Sequence, residues 1–191
     1  ILDLDGAGVE MRSIKKSKAA FDMHGDGVAD DTGWAGKDDG FLVIDRNNDG
    51  RITHASELSF AAEDSDARSD LEALAALDNN GDGVLDSDDV RFSELKVWQD
   101  TNGNGVTDAG ELKSLTELGI TEISLRAQNR EGSAGVGDNI LLGTSSFTRA
   151  NGSTGTVGNA VLAYRPGTRV PATLLGNESV ESRLPFGLSS E

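Results

Sequence analysis

Two twelve-residue stretches carry recognisable chemistry. Residues 78–89 read DNNGDGVLDSDD and residues 100–111 read DTNGNGVTDAGE, an offset of 22 residues in which acids, amides and glycines recur in the same order. Calcium is a hard cation that takes six to eight oxygens, and one twelve-residue loop can supply most of them. Side chains at positions 1, 3 and 5, a backbone carbonyl at 7, a group at 9 and a bidentate carboxylate at 12 encircle the ion, while glycine at 6 permits the sharp turn. The second stretch matches with Asp100, Asn102, Asn104, the Val106 carbonyl, Asp108 and Glu111, and Gly105 at the turn. The first matches with Asp78, Asn80, Asp82, the Val84 carbonyl, Asp86 and Asp89, and Gly83 at the turn; Asp89 is a shorter acid than the usual glutamate and reaches less far. Asn-Gly and Asp-Gly pairs also form ordinary turns. Turn formation does not account for an acid at position 12 in both loops. Nor does it offset the repulsion among Asp78, Asp82, Asp86 and Asp89, which is roughly 1 to 4 kcal/mol for each pair at 4 Å in a wet environment.

Three further stretches follow the template less completely. Asp45, Asn47, Asp49, Gly50 and the Arg51 carbonyl match the first half, but position 12 is Ser56 and Glu57 arrives one residue late, so the loop must be slightly enlarged to use it. At Asp22, His24 takes position 3, Asp26 and Gly27 follow, and Gly33 offers no acid at position 12. Neutral histidine is a poor calcium ligand. At Asp3 and Asp5, Ala7 occupies position 5, and the segment reads as a turn. Other chemistries are excluded. The chain has no cysteine, and His24 and His54 lack zinc-like spacing. No phosphate-binding loop, dinucleotide fingerprint or GxSxG elbow is present, and Trp34 and Trp98 read as packing residues.

The elements expected to hold these loops are short. Residues 68–77 place Leu71, Leu74 and Leu77 at helical spacing behind Ser69 and Asp70; residues 87–96 do the same with Val90, Phe92 and Leu95; residues 110–118 with Leu112, Leu115 and Leu118, closed by Gly119. Phe41–Ile44 and residues 120–125 read as strands. Beyond residue 126, Gly, Ser, Thr and Asn dominate, with strand-like pieces at 139–142, 146–149 and 160–164 and a hairpin turn at Asn151-Gly152. All three prolines lie beyond residue 165. The expected class is α+β: a calcium-loop-rich module with an EF-hand-like helix pair, short β-hairpins and a small β-rich C-terminal section. Residues 1–125 form the calcium-binding module, with Asp/Gly loops and strands over 1–66 and the EF-hand-like pair over 67–125. Residues 126–164 form a β-rich extension and residues 165–191 a linker or tail.

The charge follows the same division. The chain of 191 residues carries a net charge of −16; residues 1–125 hold 28 acids against 11 lysines and arginines, a net of −17, and the remainder is close to neutral. Such a surface repels nucleic acid and anionic membrane, and no apolar run approaches the ~20 residues of a membrane helix. Neither is expected as a partner.

The order LDLDGAGVE, FDMHGDG, TGW, DDGFLVIDRNNDG, SEL, ALDNNGDGVLDSDD, FSELKVWQDTNGNGVTDAGEL and SLTELGI resembles the self-processing module of FrpC-like RTX proteins, collinearly from Ile1 to about Leu125. That resemblance implies a secreted, extracellular bacterial protein exported by a type I system. It further implies that calcium folds the module, which then acts once, in cis, as an autocatalytic peptidase on an Asp-Pro bond at its own N-terminal edge. The aspartyl side chain attacks its own carbonyl and expels the proline nitrogen, leaving a cyclic anhydride. Water opens the anhydride, or a lysine amine of another protein does so to form an Asp–Lys crosslink. The metal residues of the family fall here on Asp78, Asp89, Asp100 and Glu111. No Asp-Pro occurs in this chain, since its prolines follow Arg165, Val170 and Leu184, so the scissile bond is expected upstream of Ile1. The rival expectation is a passive calcium-folded structural or secretion module of an RTX-type adhesin or toxin. A dockerin-like partner module fits less well, because Ser87-Asp88 and Ala109-Gly110 lack a hydroxyl pair.

Overall fold

The computed structural model describes residues 1–169. Its elements run β1 (Met11–Arg12), β2 (Ala20–Phe21), β3 (Ala29–Thr32), β4 (Trp34–Ala35), β5 (Phe41–Ile44), α1 (Ala55–Leu58), α2 (Asp70–Ala73), β6 (Val84–Asp86), β7 (Leu95–Trp98), β8 (Leu112–Ser114), β9 (Ile120–Ser124), β10 (Gln128–Val136), β11 (Asn139–Arg149), β12 (Thr154–Val161) and β13 (Tyr164–Arg169), with 3-10 turns at Leu74–Leu77 and Phe92–Glu94. Strands pair antiparallel in four sheets: β1-β4, β13-β3-β2, β5-β7-β8, and β10-β11-β9-β6 with β12 also on β11.

This overturns the α+β expectation. The protein is mostly β, and no EF-hand-like helix pair exists among the described residues. Of the three predicted helices, residues 70–77 keep helical turns, residues 87–96 keep only the 3-10 turn Phe92–Glu94, and residues 110–118 form no helix. In the first, the Ser69 hydroxyl caps the Glu72 amide, and Leu71, Leu74 and Leu77 are buried as spaced. In the other two, the twelfth-position acid folds back onto its own loop instead of opening a helix. Leu95–Trp98 then pairs on both sides, with β5 and with Leu112–Ser114. Val90, expected as a helix contact, is 81% exposed. Leu112, Leu115 and Leu118 still face apolar neighbours, but from a strand and a turn, where local spacing of three no longer requires a helix.

The β5-β7 pair divides two cores by the alternation of a strand. Leu42, Ile44, Leu95 and Val97 point to one side, Phe41, Val43 and Trp98 to the other. The first core is completed across a row of paired, fully buried residues, Leu85, Ile123 and Phe147, with Leu2, Leu71, Leu74 and Val157. The second is aromatic: Trp34 packs edge-on to Phe41 and Trp98 with ring centroids 4.7 and 5.4 Å away, and Phe21 lies 5.4 Å from Trp34. At roughly 1.5 to 3 kcal/mol for each large apolar side chain removed from water, these few residues dominate the packing energy. The Asn151-Gly152 turn joins β11 and β12 as the sequence implies, with Gly152 at φ +83°. Tyr164–Arg169 pairs with β3; the rest of the 165–191 segment, from residue 170, lies outside the described residues.

Candidate metal centres

Each loop opens on an aspartate that wraps the turn around its own carboxylate. Asp78 accepts the amides of Gly81 and Gly83 at 2.7 and 2.9 Å, Asp100 those of Gly103 and Gly105 at 2.7 and 2.8 Å, and Asp22 those of Gly25 and Gly27 at 2.6 and 2.8 Å. Asp45 takes Asp49 and Gly50 in the same way. Glycine at position 6 is a steric requirement at Gly105, which has φ +75° and lies so near Ala20 that a Cβ would stand 2.8 Å from its carbonyl oxygen.

The side chains at positions 3, 5 and 9 then converge. Asn80 Nδ2 donates to Asp82, Asn47 Nδ2 to Asp49, and both Asn102 and Asn104 donate to Asp108 Oδ2 at 2.8 and 3.1 Å. The amide offers each carboxylate a weak partial charge where a cation would offer a full one. Asp86 accepts the Asp88 amide and Asp26 the Val28 amide, so both remain with their loops.

The late acids close the loops from the far side. Asp89 accepts the amides of Asn79 and Asp86 at 2.7 and 3.0 Å, and Glu111 those of Thr101 and Asp108 at 3.0 and 3.1 Å, so one carboxylate holds positions 2 and 9 together in each. Glu57, from α1, reaches back to position 9 of the enlarged loop alone, accepting the Thr53 amide and hydroxyl on Oε2 at 2.8 and 3.3 Å. Its Oε1 is buried in a residue only 1% exposed and accepts no hydrogen bond. The Asp22 loop is closed by a residue that the sequence did not single out. Asp30, on β3, accepts the Met23 amide and sits 2.9 Å from His24 Nδ1, while its other oxygen takes the Gly167 amide. His24 is thereby tied to Asp30, with its ring edge-on to Tyr164. The signal that would have found Asp30 is its place on a strand that turns back over its own loop.

The structure also changes which loops are neighbours. Positions 7–9 of the Asp78 loop are β6 and pair with β9. The Asp100 loop instead meets the Asp45 loop at position 8 of each: Thr107 Oγ1 accepts the Ile52 amide at 2.9 Å and donates to the Ile52 carbonyl at 3.2 Å. It meets the chain before Asp22 through the Ala20 amide and the Asn104 carbonyl, and the Asp45 loop reaches Asp22 through the Ala55 amide. Three loops therefore adjoin around the aromatic core. Glu63 joins the fourth: it accepts from Arg46, beside Asp45, at 2.7 Å and from Arg91, just after Asp89. Burial pushes Glu63 upward, but the bonds from Arg91 and Arg46 outweigh it and hold its carboxyl below the ordinary value.

Asp100 is the electrostatic centre. It is buried, its Oδ2 accepts Trp34 Nε1 at 2.8 Å, and burial raises its pKa against the pull of the Gly105 and Gly103 amides and the Trp34 indole, with the Glu111 charge adding to the rise. A carboxylate so placed is uncomfortable as an anion and gains from a cation. An all-oxygen, mostly anionic donor set with a buried, unpartnered Glu57 oxygen fits a hard divalent ion such as calcium. Trp34→Phe removes the indole donor and, because Trp34 is fully buried against Phe21, Phe41 and Trp98, also leaves some of the core unfilled, so the loss of the hydrogen bond sets the lower end of its cost. The substitution is expected to cost at least about 1.5–3 kcal/mol, the worth of a buried hydrogen bond to a charged group, read as a lower urea midpoint at unchanged slope; an unchanged midpoint would dismiss the Trp34–Asp100 bond as an anchor of the loop.

Turn-wrapped acidic loops in a β framework of this order define a class. The chain belongs to the SPM domain family, whose model matches residues 1–163. It is similar to the iron-regulated protein FrpA of Neisseria meningitidis serogroup C, with 40% identity over 167 residues that cover 85% of this chain and 15% of that protein. The chain thus spans a small part of that relative's length, and the family agrees with the resemblance to FrpC-like RTX modules drawn from the motifs. No helix among the described residues is long and apolar enough to cross a membrane.

Proposed function

We propose that this chain is the calcium-folded self-processing module of a secreted RTX-type protein, cleaving an Asp-Pro bond in the chain that precedes it. The observation that carries the reading is how its first residues are held. Leu2 is fully buried and bridged on both sides, to Gly40 and to Val157. Its amide donates to the Gly40 carbonyl at 2.7 Å and its carbonyl accepts from Gly40 at 3.1 Å, while Asp3 and Ile1 bond to Thr156 and Gly158 at 2.9 and 2.7 Å. Chain arriving at Ile1 is therefore delivered in a fixed direction. Beside it lies an apolar cavity of about 150 Å³ lined in part by Ile1, Met23, Phe41 and Leu58.

Fixing the approach of an aspartyl side chain to its own carbonyl makes that attack an oriented intramolecular step, which general chemistry rewards by many orders of magnitude. Attack forms a cyclic anhydride as the bond to the proline nitrogen breaks and that nitrogen takes a proton. Water opens the anhydride to a C-terminal aspartate, or a lysine amine opens it to an isopeptide. Bound calcium supplies the folding energy, so the held N-terminal segment exists only after export to a calcium-rich medium. The ligands in this reading are Asp78, Asn80, Asp82, Val84, Asp86 and Asp89; Asp100, Asn102, Asn104, Val106, Asp108 and Glu111; Asp45, Asn47, Asp49, Arg51 and Glu57; and Asp22 and Asp26.

The test restores an upstream flank containing Asp-Pro and adds millimolar calcium. A cut immediately N-terminal to the module, first-order and independent of protein concentration, is expected. Intact product from folded, calcium-loaded protein would leave the passive structural module as the function.

A further inference from the structure

The segment that looked like a turn without a fifth ligand is completed from elsewhere in the chain. Asp3 accepts the amides of Gly6 and Gly8 at 2.7 and 3.1 Å, the same wrapping of positions 4 and 6 that opens the Asp78 and Asp100 loops, and Asp5 accepts the Ala7 amide at 2.9 Å. Opposite them stands Asp39, from the turn before β5. One oxygen each of Asp3, Asp5 and Asp39 lie within 4.8 Å of one another. Asp39 Oδ2 accepts the Glu10 amide at 2.6 Å, much as Asp89 and Glu111 accept a late amide of their own loops. Its Oδ1 has no hydrogen-bond partner of ordinary geometry, although Asp39 is 2% exposed. A buried, unpartnered carboxylate oxygen beside two more carboxylates is a costly arrangement without a counter-charge. Among the described residues, no lysine or arginine pairs with any of the three. Burial raises Asp39 to about 6 against the pull of the Glu10 and Leu4 amides, and the charges of Asp3 and Asp5 add to the rise.

We propose that Asp3, Asp5 and Asp39 form a further divalent-cation site, split between two segments, in which Asp39 supplies the closing carboxylate that the local sequence lacks. The ion is of the calcium class, because the donors are hard oxygens, and in this the inference rests on the calcium reading above. The site differs from the other loops in what it joins. Asp3 and Asp39 flank the Leu2–Gly40 bridge, so occupancy ties the first residues to the turn at residue 39 and stiffens the edge at which the preceding chain is held.

Calcium binding by the full chain, counted by native mass spectrometry and titrated by calorimetry, tests this. Asp5 is exposed and accepts only the Ala7 amide, so Asp5→Ala keeps the fold. Both it and Asp39→Ala are expected to bind one ion fewer than the parent chain, or to weaken one site at least tenfold, with an unchanged far-UV spectrum for Asp5→Ala. Glu111→Gln serves as a control at the Asp100 loop. If Glu111→Gln loses calcium while Asp5→Ala keeps the parent's count and affinities, the split site is wrong and the loops stand. If the parent chain binds no calcium, both readings fall. Should Asp39→Ala unfold, Asp5→Ala decides alone.

Discussion

Chelation with EDTA is expected to unfold this protein. Near-UV circular dichroism should collapse, because Phe21, Trp34, Phe41 and Trp98 owe their fixed mutual geometry to the loops around them, and the far-UV strand signal should fall with it. A ligand present at a hundred times its dissociation constant stabilises the state that binds it by about 2.7 kcal/mol per site. Three such sites contribute roughly 8 kcal/mol, comparable to the whole stability of an ordinary domain at about 5–15 kcal/mol. Removing the ions also restores repulsion among 28 acids opposed by only 11 basic residues in the first 125 positions. Readdition of calcium should restore both spectra. Identical near- and far-UV spectra in EDTA and in calcium would show that the loops do not carry the fold.

Asp100→Ala is expected to be the most damaging single substitution in the loops. It deprives the amides of Gly103 and Gly105 and the indole of Trp34, all in buried residues, of their acceptor, while the Asn104 amide keeps its bond to Asn102 Oδ1. At about 1–3 kcal/mol for each buried donor left unpaired, the structural cost alone is roughly 3–6 kcal/mol after partial relaxation, before any lost ion is counted. Asp82→Ala, at an exposed position accepting one amide and one carboxamide, removes a loop carboxylate at little structural cost. Calcium titrations followed by tryptophan fluorescence should therefore place the folding midpoint of Asp100→Ala far above that of Asp82→Ala. Coincident midpoints would reduce Asp100 to one ligand among many.

The loops were legible because their logic is local. An aspartate takes amides three to five residues ahead, glycine permits the reversal, and an acid eleven residues on folds back, so Asp78 to Asp89 and Asp100 to Glu111 declare themselves in a dozen letters. The helices were misread because periodicity over so few residues does not separate a helix from a strand and a turn. Leu95 to Trp98 are strand residues because β5 and β8 lie on either side, a fact absent from positions 87–96. Equally hidden were the closures that come from a distance or from an unexpected register. Asp30 reaches its own loop from β3, and Asp39 faces Asp3 and Asp5 across more than thirty residues.

By itself, then, the sequence determined where oxygen donors are concentrated, the positions of the turn-wrapped aspartates, the concentration of negative charge in residues 1–125 and the family likeness. The charge and the likeness are written in the residue order itself, and the turn wrapping depends on contacts between near neighbours in the chain. Tertiary structure alone decided that the protein is a set of antiparallel sheets rather than a helix pair, and that the Asp100 loop is partnered with the Asp45 loop through Ile52 and Thr107. It also decided that Trp34 and Asp39 face acids far from them in sequence. Those outcomes depend on strand pairing and on burial, where the free energy of a residue is set by partners that local spacing does not name.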